Sequence, residues 1–306
     1  MRVLVSGGGG YVGNVLCRHL LQRGHFVRCV DNFHKGHCDP IIGLVSKIGF
    51  EFMEKDVSNE EHVKEIWDGC DACIHLAAIV GFPQCDAQPG LATIVNVDGT
   101  ALIVKYADGR PVVNASTGSV YGSVEGLCNE DSPLNTLTHY GETKKQAEQM
   151  VTEYVNGVSF RFATGFGVSP NMRVNLLVND LVHKAVTNHC LNIFQADFRR
   201  TFIHVHDMAR AFTFGLENIQ ELSHDVYNCG DNNLNWTKRQ LAEYICKETR
   251  AIVSYNESGQ DSDKRDYEVS YKRLNDEGFY CNKSMEDGIS ELIAVSPLLR
   301  INHPYQ

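Results

Sequence analysis

The run Arg2-Val3-Leu4-Val5-Ser6 breaks at once into Gly7-Gly8-Gly9-Gly10-Tyr11-Val12-Gly13. Apolar residues then recur at 12, 15, 16, 20 and 21. The first run predicts a strand, and the recurrence predicts a helix over Tyr11–Gln22, closed by Gly24. A glycine turn of this kind lets backbone approach a ligand closely, and the helix behind it offers N–H groups and a positive dipole end to an anion such as a pyrophosphate. Glycines 7, 10 and 13 give GxxGxxG spacing, while 8, 10 and 13 give GxGxxG, because the run is overfilled. A bare glycine pattern also makes an ordinary turn. The context favours a dinucleotide: a strand before, a helix after, and an acidic residue ending the next strand, Phe26–Val30, at Asp31.

A carboxylate at Asp31 accepts both ribose hydroxyls of NAD and repels a 2′-phosphate, so NAD is the expected cofactor. Lys35 leaves an opening for NADP. Asn32, Gly36 and the polar His34-Lys35 complete the adenosine side, and Asp56-Val57 follows a third strand over 50–53, within reach of an adenine amine. Asp56 also reads as a helix N-cap, a task open to Ser58 or Asn59.

The alternation continues: helix 60–67, strand 72–76, a long helix 91–106, strand 112–117, helix 137–155, strand 159–162. Strands and helices at this spacing predict an α/β fold, a Rossmann-type doubly wound parallel sheet with helices on both faces. After Gly165 the rhythm is lost. Residues 1–165 are read as the dinucleotide-binding domain, with a stretch around 200–230 returning to it, and 166–306 as a smaller mixed α/β lobe covering a substrate. Net charge is −10, which argues against nucleic acid. No apolar run nears the ~20 residues of a membrane span. The 11 cysteines, with no signal peptide ahead of the first strand, read as free thiols in a reducing cytoplasm.

Three further clusters have plain readings. Cys70-x-x-Cys73 has no second pair and Cys73 falls in a strand, so no metal is expected. His204-Val205-His206-Asp207 reads as a strand feeding a helix capped at Asp207. Glu125, Glu130 and Asp131 read as a solvated acidic loop.

The chemistry concentrates between 112 and 144. Ala115-Ser116-Thr117 ends an apolar strand, and Tyr140 and Lys144 are four apart on the following helix, sharing a face. An ammonium within ~4–6 Å of a phenol favours the phenolate by ~1–3 pKa units, toward a working base.

With Gly7/Gly10/Gly13, Asp31, Asp56, His75-Leu76-Ala77-Ala78, Asn96, Ser116-Thr117-x-x-Val120-Tyr121-Gly122 and Tyr140-x-x-x-Lys144 in order, the chain resembles the extended short-chain dehydrogenase/reductases, and within them the nucleotide-sugar epimerases and dehydratases. Arg200-Thr201-Phe202-Ile203-His204-Val205-His206-Asp207 is similar to a segment of that group, as is 269–274. The resemblance implies that Tyr140 is the base at a sugar hydroxyl, usually at C4, that Lys144 holds the nicotinamide ribose, and that Thr117 bonds the same hydroxyl. It places Gly7, Gly10, Tyr11, Val12, Gly13, Asp31, Asn32, Gly36, Asp56, Val57, Leu76, Ala77, Ala78, Asn96, Ala115, Ser116 and Phe162 along NAD. It implies substrate contacts from Thr164, Asn175, Arg200 and Arg265, the two arginines on the diphosphate, and a homodimer through helices 91–106 and 137–155.

Two departures sharpen this. Dehydratases of the group carry an Asp-Glu pair directly after the Thr117 position; here stand Gly118 and Ser119. The segment Ile79–Cys85, expected over the sugar, differs from that of galactose-type epimerases. The expected activity is NAD-dependent oxidation at C4 of a nucleotide-diphosphate sugar, as a 4-epimerase through a 4-keto sugar. The alternatives are a 4-dehydrogenase or 4-ketoreductase, then a 4,6-dehydratase or a silent dinucleotide sensor.

Overall fold

A computed structural model describes residues 1–34, 36, 38–122, 126–256 and 268–299. Lys35, Glu125, the 261–266 loop and with it Arg265 lie outside the described residues.

Seven strands form one parallel sheet: β1 (Arg2–Ser6), β2 (Phe26–Asp31), β3 (Phe50–Glu54), β4 (Ala72–His75), β5 (Val112–Thr117), β6 (Gly157–Phe162) and β7 (Asp225–Cys229). Their order is β7-β6-β5-β4-β1-β2-β3, and every neighbouring pair is parallel. Alternation along β1 sends side chains to both faces. Val3 and Val5 join one core with Val15, Leu16, Leu20 and Phe212, beneath α1 (Tyr11–Gln22). Leu4 joins the other, with Val63, Ile66, Trp67 and Ile103. The sheet is therefore buried on both sides, the normal state of an all-parallel sheet.

Helix α2 (His139–Glu153) packs on β5 and β6, capped by the Thr138 side chain, which accepts from the Gly141 N–H at 3.1 Å. Helix α3 (Val205–Glu217) lies beside α1 and leads back to β7, the strand that periodicity alone did not show. The expected single helix over 91–106 is Pro89–Thr93 and Gly99–Lys105 joined by a π-helical turn, Ile94–Asp98.

Beyond β6 the chain peels off the sheet. Thr164–Phe166 pairs with Arg199–His204, which pairs in turn with Asn235–Thr237. Phe166, Val182, Phe202, Leu241, Ile245 and Ile289 make a second core.

Two plain readings need correction. His204, not Asp207, caps α3: its Nδ1 accepts the His206 N–H at 3.2 Å. Asp207 sits a turn further in, fully buried, and accepts the N–H groups of Asn282 and Lys283 at 3.1 and 2.9 Å. It ties the last part of the chain to the sheet. Glu130 is buried rather than solvated, because its Oε1 accepts the Asn228 N–H at 2.8 Å beside β7. Asp131 is exposed and pairs with Arg273 at 2.7 Å. Cys70 donates to the Ile66 carbonyl at 3.5 Å and Cys73 is inside β4. Among the described residues no helix is long and apolar enough to cross a membrane.

Candidate active site

The strand order reverses between β1 and β4, and an open sheet takes ligands at the carboxyl ends of its strands at such a point. A cavity of about 840 Å³ lies there. It runs from the glycine loop past the ends of β2, β4, β5 and β6 to the segment 171–176.

The loop is held from beneath. Gly7 and Gly8 donate to the Val30 carbonyl at 2.7 and 3.2 Å. Gly7 has φ +70°, and a Cβ on Gly13 would stand 2.2 Å from the Gly7 carbonyl oxygen, so both positions require glycine for the turn to close. Gly10 caps α1 with no side chain, leaving the first-turn N–H groups without a capping acceptor. These groups face a cavity that reaches Asp31, whose Oδ2 accepts the Gly9 N–H at 3.0 Å and Oδ1 that of Phe33 at 2.9 Å. Burial raises the Asp31 pKa, and these backbone bonds oppose the rise. Further out, the Asn32 amide donates to Asp56 Oδ2 at 3.1 Å. Ser58 donates to Asp56 Oδ1, while Asn59 caps the next helix, so Asp56 is left facing the cavity.

At the other end, β5 delivers Ala115, Ser116 and Thr117 to the cavity wall, and α2 delivers Tyr140 and Lys144. The Thr117 hydroxyl lies 3.2 Å from that of Ser119. Lys144 is buried, and no hydrogen bond to its Nζ is seen among the described residues. Burial pulls its pKa down to about 8, against the attraction of Glu148 one turn on. An ammonium lacking acceptors, in a cavity that also holds a carboxylate and uncapped N–H groups, fits a dinucleotide lying along the cavity with its ribose hydroxyls at the two ends.

Most of the sequence-derived candidates converge here. Gly7, Gly10, Tyr11, Val12, Gly13, Asp31, Asn32, Gly36, Asp56, Val57, Leu76, Ala77, Ala78, Ala115, Ser116, Phe162, Thr117, Thr164 and Asn175 all line the cavity. Asn96 and Arg200 do not. Asn96 faces the protein: its amide accepts from Ile79 N at 2.8 Å and donates to Ile79 O and Thr143 Oγ1, both at 3.0 Å. It pins the segment at Ile79 to the helix of Thr143. Arg200 is buried under its own strand, with Nη1 donating to the Arg199 carbonyl at 2.9 Å.

Among the described residues, the arginine that lines the cavity is Arg173, half-buried, with Nε donating to Asn175 Oδ1 at 3.3 Å. Burial lowers its pKa, and attraction to Tyr140 opposes this. Its segment is carried over the glycine loop by Asn171, whose amide donates to Gly9 O at 2.8 Å, and by Ser169, whose hydroxyl donates to Tyr11 O at 2.7 Å. A cation in the stretch that follows the Ser169-Pro170-Asn171 turn, just before an amphipathic helix, was the available sequence signal for Arg173. Among the described residues that line the cavity, the carboxylates are Asp31 and Asp56, both on the glycine-loop side.

A doubly wound sheet with a glycine loop, an acidic residue ending β2 and a Tyr-x-x-x-Lys helix over β5 defines an NAD-dependent oxidoreductase site of the extended short-chain type. Residues 3–230 match the NAD dependent epimerase/dehydratase family, and the chain belongs to it. It is 26% identical over 272 residues to the UDP-glucose 4-epimerase of Corynebacterium glutamicum, covering 81% of this chain and 80% of that one. It is 29% identical over 221 residues to UDP-glucuronic acid decarboxylase 1 of Danio rerio, covering 68% and 52%. The fold matches that of the UDP-glucuronic acid 4-epimerase of Bacillus cereus, solved with NAD, with a TM-score of 0.86 at 23% identity over 98% of this chain and 97% of that one.

Proposed function

We propose that the chain oxidises C4 of a nucleotide-diphosphate sugar and returns the hydride to the opposite face, as a 4-epimerase. One observation carries this reading. Thr117, Tyr140 and Lys144 meet at one end of the NAD cavity, and the described lining there contains no carboxylate. Tyr140 would serve as the base for the C4 hydroxyl, whereas the described lining offers no carboxylate pair at that end for the C5 proton and a leaving hydroxyl.

When bound, NAD supplies the hydride acceptor and donor. The chain's own residues handle the proton. Tyr140 takes it from the C4 hydroxyl as C4 becomes a ketone and gives it back after the sugar has turned. Lys144 holds the ribose and keeps the phenol acidic; Thr117 fixes the hydroxyl. Arg173, with Thr164 and Asn175, takes the place assigned from sequence to Arg200 in meeting the substrate's negative charge. A 4-dehydrogenase that releases the keto sugar shares the first half of this chemistry.

The test is incubation of the purified protein and NAD with UDP-, GDP-, dTDP- and CDP-hexoses, read by NMR. A C4 epimer without net NADH supports the proposal. Stoichiometric NADH with a keto sugar supports the dehydrogenase, and no turnover of any of them contradicts both.

A further inference from the structure

Behind the cavity wall lies a group of buried polar side chains that the proposed chemistry does not use. Glu148 is on α2, one turn after Lys144 and 5% exposed. Its Oε2 accepts the Ser116 hydroxyl at 2.6 Å. Arg161, on β6 and equally buried, grips both carboxylate oxygens, with Nη2 to Oε1 at 2.6 Å and Nε to Oε2 at 3.0 Å. Arg161 also donates to the Tyr121 hydroxyl at 3.0 Å, which in turn donates to Asn228 Oδ1 on β7 at 2.7 Å. One carboxylate thus joins the helix of Tyr140 and Lys144 to the strand end of Ser116 and Thr117.

We infer that Glu148 is a positioning residue for the reaction: it fixes the catalytic helix against the end of β5 and supplies the negative charge that keeps the buried Lys144 an ammonium. This inference rests on the proposed Tyr140–Lys144 chemistry. Two features argue against a purely structural pair. A buried ion pair is often no better for stability than apolar residues of the same shape. Moreover, a Ser–Glu–Arg cluster that only filled space would not need to touch a residue lining the cavity. Lys144 gains no hydrogen bond from the described residues, so its charge depends on its surroundings. The groups acting on its charge are Glu148 on its own helix, Cys85 from helix Phe82–Ala87, and His75 at the end of β4. His75 is held neutral, its pKa lowered to about 3 by burial, so it adds no repelling cation. Cys85 donates its Sγ–H to the Ile79 carbonyl at 3.2 Å. Glu148 is therefore the carboxylate at hand.

The experiment compares wild type with Glu148→Gln, and with Glu148→Gln/Arg161→Gln, which leaves no unpaired guanidinium should the single variant fold poorly. The first readout is the titration of Lys144 in the protein without NAD, by NMR of [13C]lysine, assigned through Lys144→Met. The second is the pH profile of turnover. We expect the Lys144 titration to fall by about one unit in Glu148→Gln, and by less but in the same direction in the double variant, which also loses the opposing charge of the more distant Arg161. The turnover loss is then slight near about pH 6 and about tenfold near about pH 9. An unmoved Lys144 titration in whichever variant folds, or an equal loss at every pH, overturns the inference. If wild type turns over no nucleotide sugar, the proposed function fails while the NMR titration still decides the role of Glu148.

Discussion

Asp31 Oδ2 accepts the N–H of Gly9 at 3.0 Å, across 22 residues of sequence. The carboxylate that would hold the adenosine ribose thus also braces the phosphate-binding loop, so cofactor affinity and loop geometry are linked. Replacing Asp31 by Ala removes a charged acceptor from the ribose and the brace from Gly9. A hydrogen bond to a charged group contributes ~1.5–3 kcal/mol, so NAD affinity should fall roughly 10- to 100-fold. NADP affinity should fall less or rise, as isothermal titration will read. Because burial raises the Asp31 pKa, NAD affinity should weaken on acidification at a higher pH than an ordinary aspartate would give.

Lys144 sets function against stability. Its pKa is about 8 in the folded chain against a reference of 10.5. Below pH 8 the fold carries a buried ammonium that the unfolded chain would solvate. Between about 8 and 10.5 the unfolded state binds more protons, so this cost is relieved and stability rises with pH. The difference is worth roughly 3 kcal/mol at most. Lys144→Met should abolish turnover yet unfold at a higher denaturant concentration near neutral pH. The gain over wild type should shrink as pH approaches 10; equal or lower stability at neutral pH would contradict the burial argument.

Asn96 separates two roles that sequence alone confuses. Its three bonds go to Ile79 and Thr143. Asn96→Ala should therefore leave NAD affinity within a few-fold. Turnover should drop as the segment over the sugar loosens, and stability should fall by about 1–3 kcal/mol through the unpaired Ile79 backbone. Loss of NAD binding, with stability unchanged, would restore the cofactor contact expected from sequence.

The two arginines divide in the same way. Arg173→Met should raise the sugar-nucleotide KM roughly 10- to 100-fold and flatten its salt dependence. Arg200→Met should act on thermal stability, with KM little changed.

What could be read in the sequence follows from how local each feature is. The β1–glycine loop–α1 unit and the Tyr140–Lys144 register depend on neighbours a few residues apart, and their bounds were readable to within a residue or two. Strand β7 was not, because Asp225-Val226-Tyr227-Asn228-Cys229 mixes polar and apolar residues, of which Tyr227, Asn228 and Cys229 are buried beside β6. Glu148 has Lys144, Lys145, Val151 and Thr152 as its helical neighbours and reads as an ordinary surface carboxylate; its sense comes from Arg161, 13 residues away. Arg200 occupies a strand whose motif was recognisable, but its side chain turned inward. Arg173 reaches the cavity because Asn171 and Ser169 bind the glycine loop, contacts 162 and 158 residues long in sequence.

The proposed chemistry breaks the C4–H bond without exchanging it with water and leaves C5 untouched. Turnover of the accepted nucleotide sugar in deuterated water, followed by mass spectrometry and NMR of the sugar ring, tests this directly. The result expected is a C4 epimer with protium retained at both C4 and C5. Deuterium at C5 would reveal a base at C5 that the described cavity does not contain, and would contradict the proposed function.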